Sequence, residues 1–382
     1  MSESLLVNFV YAHPVGHAVE ALQYCLGYHR ADPARRIGLT LHHATATELA
    51  QWAPFVAEHH PIPIDVFQPN PAALDGIPRE WDWVVDDLRG WQDPQRELFP
   101  GLAAYYDLGR EHFQPTRGWR PIRVPGGPSY QPGSRLELRP PASAMAAAAA
   151  ALPSAAPRIA VLPGGSADRS LYPSARSWQR VLGALAARFP DAVFCLLGKL
   201  AEDGRTRSTF SRAEFEELRA AVPSCVAAID LPLADQLAMV RQCDVLVSPH
   251  SGFGMAAVAV GTPWVILAGN KWPEYYFNPG VPFYSVLPDI ERFPCYNLFE
   301  PDPEPVSDDG PRAPSMSRAR IESDTGELVE ATARIIEGSW DYDTAMRDHF
   351  RRLVRLYDGH AEWIYSIDDT HLPYLPQDVR KP

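Results

Sequence analysis

Short apolar runs along the chain alternate with longer stretches in which apolar residues recur at helical spacing. Leu5–Tyr11 predicts a strand and Val15–Tyr28 a helix; Ile37–Leu41 predicts a second strand and Ala46–Glu58 a second helix. Ile64–Phe67 and Trp83–Val85 read as further strands. Strands separated by helical crossovers pair in parallel, so this rhythm predicts a doubly wound α/β fold.

The stretch Arg139–Pro157, RPPASAMAAAAAALPSAAP, interrupts the rhythm with a short alanine helix between prolines. A second series follows: strand Ile159–Leu162, helix Ala175–Arg188, strand Ala192–Leu197, a helix near Asp235–Gln242, strand Val245–Ser248, helix Met255–Val260 and strand Trp264–Leu267. Two Rossmann-like domains are expected, residues 1–150 and 157–338, with Glu300–Arg320 an exposed loop. The segment 340–382, apolar at helical spacing over Thr344–Tyr357, is expected to fold back on the first domain.

The length of 382 residues fits two domains of roughly 150 residues each. A formal charge of −12 removes the global attraction to phosphate backbones on which nucleic-acid binding depends. The five cysteines are scattered without C-x-x-C spacing, which predicts neither a disulfide framework nor a zinc site and suits a reducing cytoplasm. The start, MSESLL, carries no secretory signal pattern. Ser251–Asn270 has no charged residue, but Gly261-Thr262-Pro263 breaks it into a short helix and a strand, so no transmembrane segment is expected.

In doubly wound sheets, ligands sit beyond the carboxyl ends of the strands, where helix N-termini offer unpaired N–H groups. Two loops meet that requirement. In Leu162–Ser170, Gly164 and Gly165 permit close backbone approach, Ser166 offers a hydroxyl and Arg169 a cation. Ser248–Ala257 repeats this logic with His250, Ser251, Gly252, Phe253, Gly254 and Met255. Two such loops in one domain favour an anionic ligand, most simply a nucleotide diphosphate, whereas G-K-[ST] and an early G-x-G-x-x-G are both missing.

The segment Arg158–Phe299 resembles the nucleotide-binding half of the heptosyltransferases, glycosyltransferase family nine. The resemblance rests on LPGGSADRSLYPSARSW, CLLGKLAE, LPLADQLAMVRQCDVLVSPHSGFGMAAVAVGTPWVILAG and the PCY at Pro294–Tyr296. It implies a GT-B arrangement, two Rossmann-like domains whose parallel sheets face a central cleft. It also implies a nucleotide-diphosphate sugar as co-substrate, inverting transfer, no cofactor and no required metal. Carried over by position, Gly165 and Ser166 contact donor phosphate, Glu202 the ribose hydroxyls, Leu231 the base, and Ser251-Gly252-Phe253 form the phosphate-binding turn. Three positions depart from the family: His250 replaces an acidic residue, Met255 a histidine, and Ser170 the lysine of the first loop, whose charge falls to Arg169 or Lys199.

His13 and His17 stand four residues apart after the first strand. Pro14 pushes His13 out of the helical region, and no third ligand accompanies the pair, so a metal site is disfavoured. The resemblance implies a Gly-Asp turn here, with the carboxylate as general base. Gly16-His17 takes its place, similar to the Gly-His turn of other GT-B glycosyltransferases that use histidine. An imidazole with an unperturbed pKa near ~6.5 accepts a hydroxyl proton near neutral pH. His17 is therefore the candidate base, with His13 in the loop beside the acceptor and Asp86 or Asp87 as possible partner carboxylates; packing or capping is the alternative role for His17. His42-His43 and His59-His60 read as solvated loop histidines. Asn270 and Lys271 are candidate cleft residues, with Trp272, Tyr275 and Tyr276 either lining the cleft or packing an interface. The expected function is transfer of a hexose- or heptose-like sugar to a small-molecule or lipid-linked acceptor. The alternatives are a nucleotide-sugar epimerase or hydrolase, and a non-catalytic nucleotide-sugar-binding protein.

Overall fold

The computed structural model describes residues 3–10, 13–63, 72, 76–78, 80–86, 127–153, 157–205, 207–269, 277–294, 304–306, 309–356, 359 and 372–375. The chain forms two compact units, Met1–Leu138 with His360–Pro382, and Arg139–Gly359.

In the first unit, β1 (Ser4–Phe9), β2 (Arg36–His42), β3 (Glu58–Ile62) and β4 (Trp83–Asp86) form a parallel sheet in the order β3-β2-β1-β4. Helix α1 (Val15–Ala31) starts at Pro14 and buries Gly16 and Ala18–Tyr28. This near-continuous burial matches an apolar run with little amphipathic contrast. The helix expected over Ala46–Glu58 is only a 3₁₀ turn, Thr47–Trp52. Pro54 explains the difference, because the residue before a proline is held out of the helical region, and Ala53 sits at φ −110°, ψ 89°. The freed segment enters β3 at Glu58, and the strand expected at Ile64–Phe67 lies outside the described residues.

The second unit contains β5 (Arg158–Val161), β6 (Val193–Gly198), β7 (Cys225–Ile229), β8 (Val245–Pro249), β9 (Trp264–Leu267) and β10 (Phe283–Val286). They form a parallel sheet in the order β7-β6-β5-β8-β9-β10, the order of a Rossmann sheet. Strands β6 and β8 are buried at every position, as parallel strands covered on both faces must be. The helices are α2 (Ala142–Ala151), α3 (Ala175–Arg188), α4 (Arg212–Ala220), α5 (Leu233–Arg241), α6 (Gly252–Ala259), α7 (Arg318–Ile336) and α8 (Tyr342–Leu356). Trp178 of α3 is fully buried in the core, and its indole N–H donates to the Pro163 carbonyl at 2.8 Å.

Three expectations are corrected. The alanine helix α2 packs on α5 within the second unit, and the division of the chain falls between Leu138 and Arg139. Of the segment expected to fold back on the first domain, His360–Pro382 falls in the first unit, whereas helix α8 belongs to the second: its apolar face lies on β10, where His349 and Phe350 meet Phe277 and Phe283. Part of the expected exposed loop Glu300–Arg320 is instead an antiparallel hairpin, β11 (Glu304–Val306) and β12 (Gly310–Arg312), followed by the start of α7. Among the described residues, no helix is long and apolar enough to cross a membrane. The uncharged stretch after Ser251 is α6, a turn with Gly261 at φ 95°, and β9.

Candidate functional site

The strand order reverses between β5 and β8, and the loops that leave these two strands carry the predicted donor residues. The Leu162 amide donates to the Val247 carbonyl at 3.2 Å, joining the two strand ends.

The first loop is built from inside. Ser208 donates its hydroxyl to the Gly164 carbonyl at 3.1 Å, and the Thr209 amide donates to the Gly165 carbonyl at 3.0 Å. Gly164 has no room for a side chain: a Cβ there would lie 2.8 Å from the Phe210 ring. Ser166 is exposed, as a ligand-binding hydroxyl requires. Arg169 is not a free cation. Its guanidinium donates to Glu214 at 2.6 Å and to the Pro173 carbonyl at 2.9 Å, and lies 3.6 Å over the Phe210 ring. Ser170 hydrogen-bonds Asp168, whose carboxyl the Ser170 hydroxyl and amide hold below the ordinary range. The hairpin closes on this loop where the Ala313 amide donates to the Ser170 carbonyl at 2.9 Å.

The second loop ends in a capped helix. Ser251 is the N-cap of α6 and accepts from the Gly254 amide at 3.1 Å, which leaves the Gly252 and Phe253 amides as orphan donors of the first turn. Gly254 and Met255 do not share this surface. A Cβ on Gly254 would lie 2.0 Å from the Trp264 ring, and Met255 is 1% exposed, because both positions turn inward. They shape the turn from the core side. His250 is 7% exposed with its ring 6.0 Å from Trp264.

Beside this reversal point, the turns after β6 and β7 hold Lys199, Glu202 and Leu231. Lys199 pairs with Asp203 at 2.8 Å, and the exposed Glu202 pairs with Arg207. Two residues that the sequence did not flag fix these turns. Asp230, at φ 62°, accepts the Leu200 and Ala201 amides on Oδ1 at 2.6 and 2.8 Å. Buried Gln236 donates to the Gly198 carbonyl at 2.9 Å and to the Leu231 carbonyl at 3.1 Å.

In the first unit the strand order reverses between β1 and β4, and helix α1, which follows β1, carries Gly16 and His17 in its first turn rather than in a loop. The His17 amide donates to the Pro14 carbonyl at 3.0 Å, and Thr45 donates its hydroxyl to the same carbonyl at 3.1 Å. His17 and His13 are half-buried. The His13 ring stacks on His42 with centroids 3.7 Å apart. His42 is 2% exposed and its Nδ1 accepts the Ala44 amide at 3.0 Å, so the expectation of a solvated histidine fails there. That acceptor role places the ring proton of neutral His42 on Nε2. His59 and His60 lie within β3 rather than in a loop, and burial, followed by the neighbouring His60, lowers the His59 pKa. Asp86 ends β4 in register with Asn8 of β1. Asp87, Asn270, Lys271, Trp272, Tyr275, Tyr276, Cys295 and Tyr296 lie outside the described residues.

Solved structures share this fold. A family 9 glycosyl transferase from Veillonella parvula superposes with a TM-score of 0.57 and 12% identity over 88% of this chain and 98% of that one. The Escherichia coli ADP-heptose lps heptosyltransferase II gives 0.52 and 13% over 87% and 100%. TibC of enterotoxigenic Escherichia coli, described as an iron-containing dodecameric glycosyltransferase, gives 0.51 and 13% over 87% and 76%. No protein-family model and no curated protein sequence matches the chain. At these identities the likeness is one of fold: the chain has the two-unit α/β fold of the GT-B glycosyltransferases, as seen in family nine.

The expectation that no metal is required does not survive this comparison, because TibC has the same fold and is described as iron-containing. Among the described residues, no three His, Cys, Asp or Glu side chains converge as a ligand set. His13 and His42 meet through their ring faces, with centroids 3.7 Å apart. The described residues do not fit an iron site.

Proposed function

We propose that the protein is a glycosyltransferase that moves a sugar, of hexose or heptose type, from a nucleoside-diphosphate donor to an acceptor hydroxyl. The observation that carries this reading is the sheet order β7-β6-β5-β8-β9-β10, which places the Gly165-Ser166 loop and the Ser251-capped turn on either side of one reversal point. Helix α6 presents its orphan amides and positive dipole end there, which suits a diphosphate. The fold shared with family-nine enzymes gives that site its enzymatic context.

In the proposed reaction, His17 takes the proton of the acceptor hydroxyl as its oxygen bonds to the anomeric carbon. The bond from that carbon to the diphosphate oxygen breaks with inversion, and the nucleoside diphosphate leaves with the electron pair. The Gly252 and Phe253 amides and the Ser166 hydroxyl stabilise the charge that develops on it, by electrostatics already in place before the reaction. Arg169 contributes indirectly, by fixing the loop that carries Ser166. Leu231 and Glu202 are assigned to the nucleoside, and His250 to the wall of the phosphate turn.

The test is His17→Ala. General-base loss is expected to slow transfer by roughly 10²- to 10⁴-fold with donor affinity unchanged. Transfer at the wild-type rate would remove His17 from the mechanism and leave the donor site standing.

A further inference from the structure

The turns that follow β6 and β7 are joined more tightly than a connection between neighbouring strands requires. The Asp230 amide donates to the Gly198 carbonyl at 3.0 Å, while its Oδ1 takes both the Leu200 and Ala201 amides, and its Oδ2 faces Arg212 at 3.4 Å. One residue thus binds the opposite turn at three points, Gly198, Leu200 and Ala201. Gln236 completes the joint from below, spending its amide nitrogen on the Gly198 and Leu231 carbonyls. An amide group lying between two carbonyls can present only its NH₂ to both, so the orientation of the Gln236 side chain is fixed.

Asp230 is the one non-glycine residue with a positive φ among the described residues. Aspartate enters the left-handed region more readily than most residues, but such backbone persists only where its surroundings determine it, and it concentrates at ligand clamps. Here the carboxylate that determines it reaches across to the turn that carries Lys199 and Glu202. Leu231 follows directly in the chain.

We infer that Asp230, braced by Gln236, is a positioning residue that holds the Lys199–Glu202 turn and the Leu231 turn at a fixed separation and so sets the slot for the donor's nucleoside. This inference rests on the reading that the second unit binds a nucleoside diphosphate. It assigns Asp230 no contact with phosphate, which belongs to the Ser166 and Ser251 turns. Burial by itself would raise the Asp230 carboxyl; the Ala201 and Leu200 amides, with Arg212 and Lys199 nearby, hold it below its ordinary value. The acceptor is therefore ionised at neutral pH, which strengthens both amide contacts.

The experiment compares Asp230→Ala, Asp230→Gly and Asp230→Asn with the wild type by calorimetric titration with ADP, GDP, UDP and inorganic pyrophosphate. Asparagine keeps the left-handed backbone and an oxygen acceptor; glycine keeps only the backbone. The expected result is at least tenfold weaker binding of the preferred nucleoside diphosphate to the alanine and glycine variants, recovery to within threefold by asparagine, and unchanged pyrophosphate binding in all three. General damage to the fold would weaken pyrophosphate as well, and that outcome would overturn the inference. So would a glycine variant with wild-type nucleoside affinity. A wild type that binds pyrophosphate but none of the nucleotides, or nothing at all, would instead remove the nucleoside-diphosphate reading on which the inference stands.

Discussion

The Glu214 carboxylate accepts a hydrogen bond from the Arg169 guanidinium at 2.6 Å while also closing the capping box of α4 with Ser211. Burial alone would raise the Glu214 carboxyl, but the Ser211 amide and Arg169 hold it below its ordinary value. The one arginine of the Gly-Gly loop is thus committed to the helix that follows β6. A double-mutant cycle with Arg169→Met and Glu214→Gln checks this commitment. Both single variants are expected to unfold at lower denaturant concentration, with a coupling of about 0.5–3 kcal/mol. An additive cycle would mean that the two side chains act separately.

Ser251 caps α6 and, in the proposed site, belongs to the turn that binds the diphosphate. Ser251→Ala removes the acceptor for the Gly254 amide, and loss of such a cap costs about 1 kcal/mol. Because the same turn presents the Gly252 and Phe253 amides, nucleoside-diphosphate affinity is expected to fall together with stability. Denaturant titration and calorimetry on one preparation test both. An intact affinity would move the phosphate away from this turn.

His349 sets a pH dependence. It is 3% exposed among Phe277, Phe283 and Phe350, neither ring nitrogen has a hydrogen-bond partner, and burial followed by the nearby Arg352 pushes its pKa down to about 3. A histidine whose folded pKa is lowered binds a proton more readily when unfolded. Its stabilising contribution is complete above the unfolded pKa of ~6.5 and is lost as pH falls from there towards 3, at up to about 1.4 kcal/mol per pH unit. His349→Phe fits the surrounding aromatic cluster and is expected to flatten the loss of stability between pH 7 and pH 5, measured by urea unfolding. Equal slopes for variant and wild type would show that His349 does not carry it.

Local patterns were legible in the sequence, and long-range partners were not. Helix Ala175–Arg188 and strand Trp264–Leu267 have the bounds expected from periodicity, since Ser174 caps one and Pro263 precedes the other. Helix α4 also has a readable start, the capping box of Ser211 and Glu214. The helix expected over Ala46–Glu58 failed at Pro54, where a local rule outweighed the apolar spacing. In the site, Ser166, Ser251 and Gly252 stand at the predicted βα turns. That Arg169 is spent on Glu214, 45 positions away, and that Asp230 reaches back 30 positions to Leu200 depend on which loops the fold makes adjacent. Gly254 read as a donor-binding position that permits close backbone approach, whereas its need for glycine comes from Trp264.

The most direct measurement of the central claim is the shift in melting temperature of the full chain with ADP, GDP, UDP and dTDP at saturating concentration. A ligand that binds only the folded state at 100 times its Kd stabilises by about 2.7 kcal/mol, so a bound nucleotide raises the transition by several degrees. The account predicts such a rise for at least one of the four, reduced in Ser251→Ala and retained in His17→Ala. No shift with any of them would contradict it.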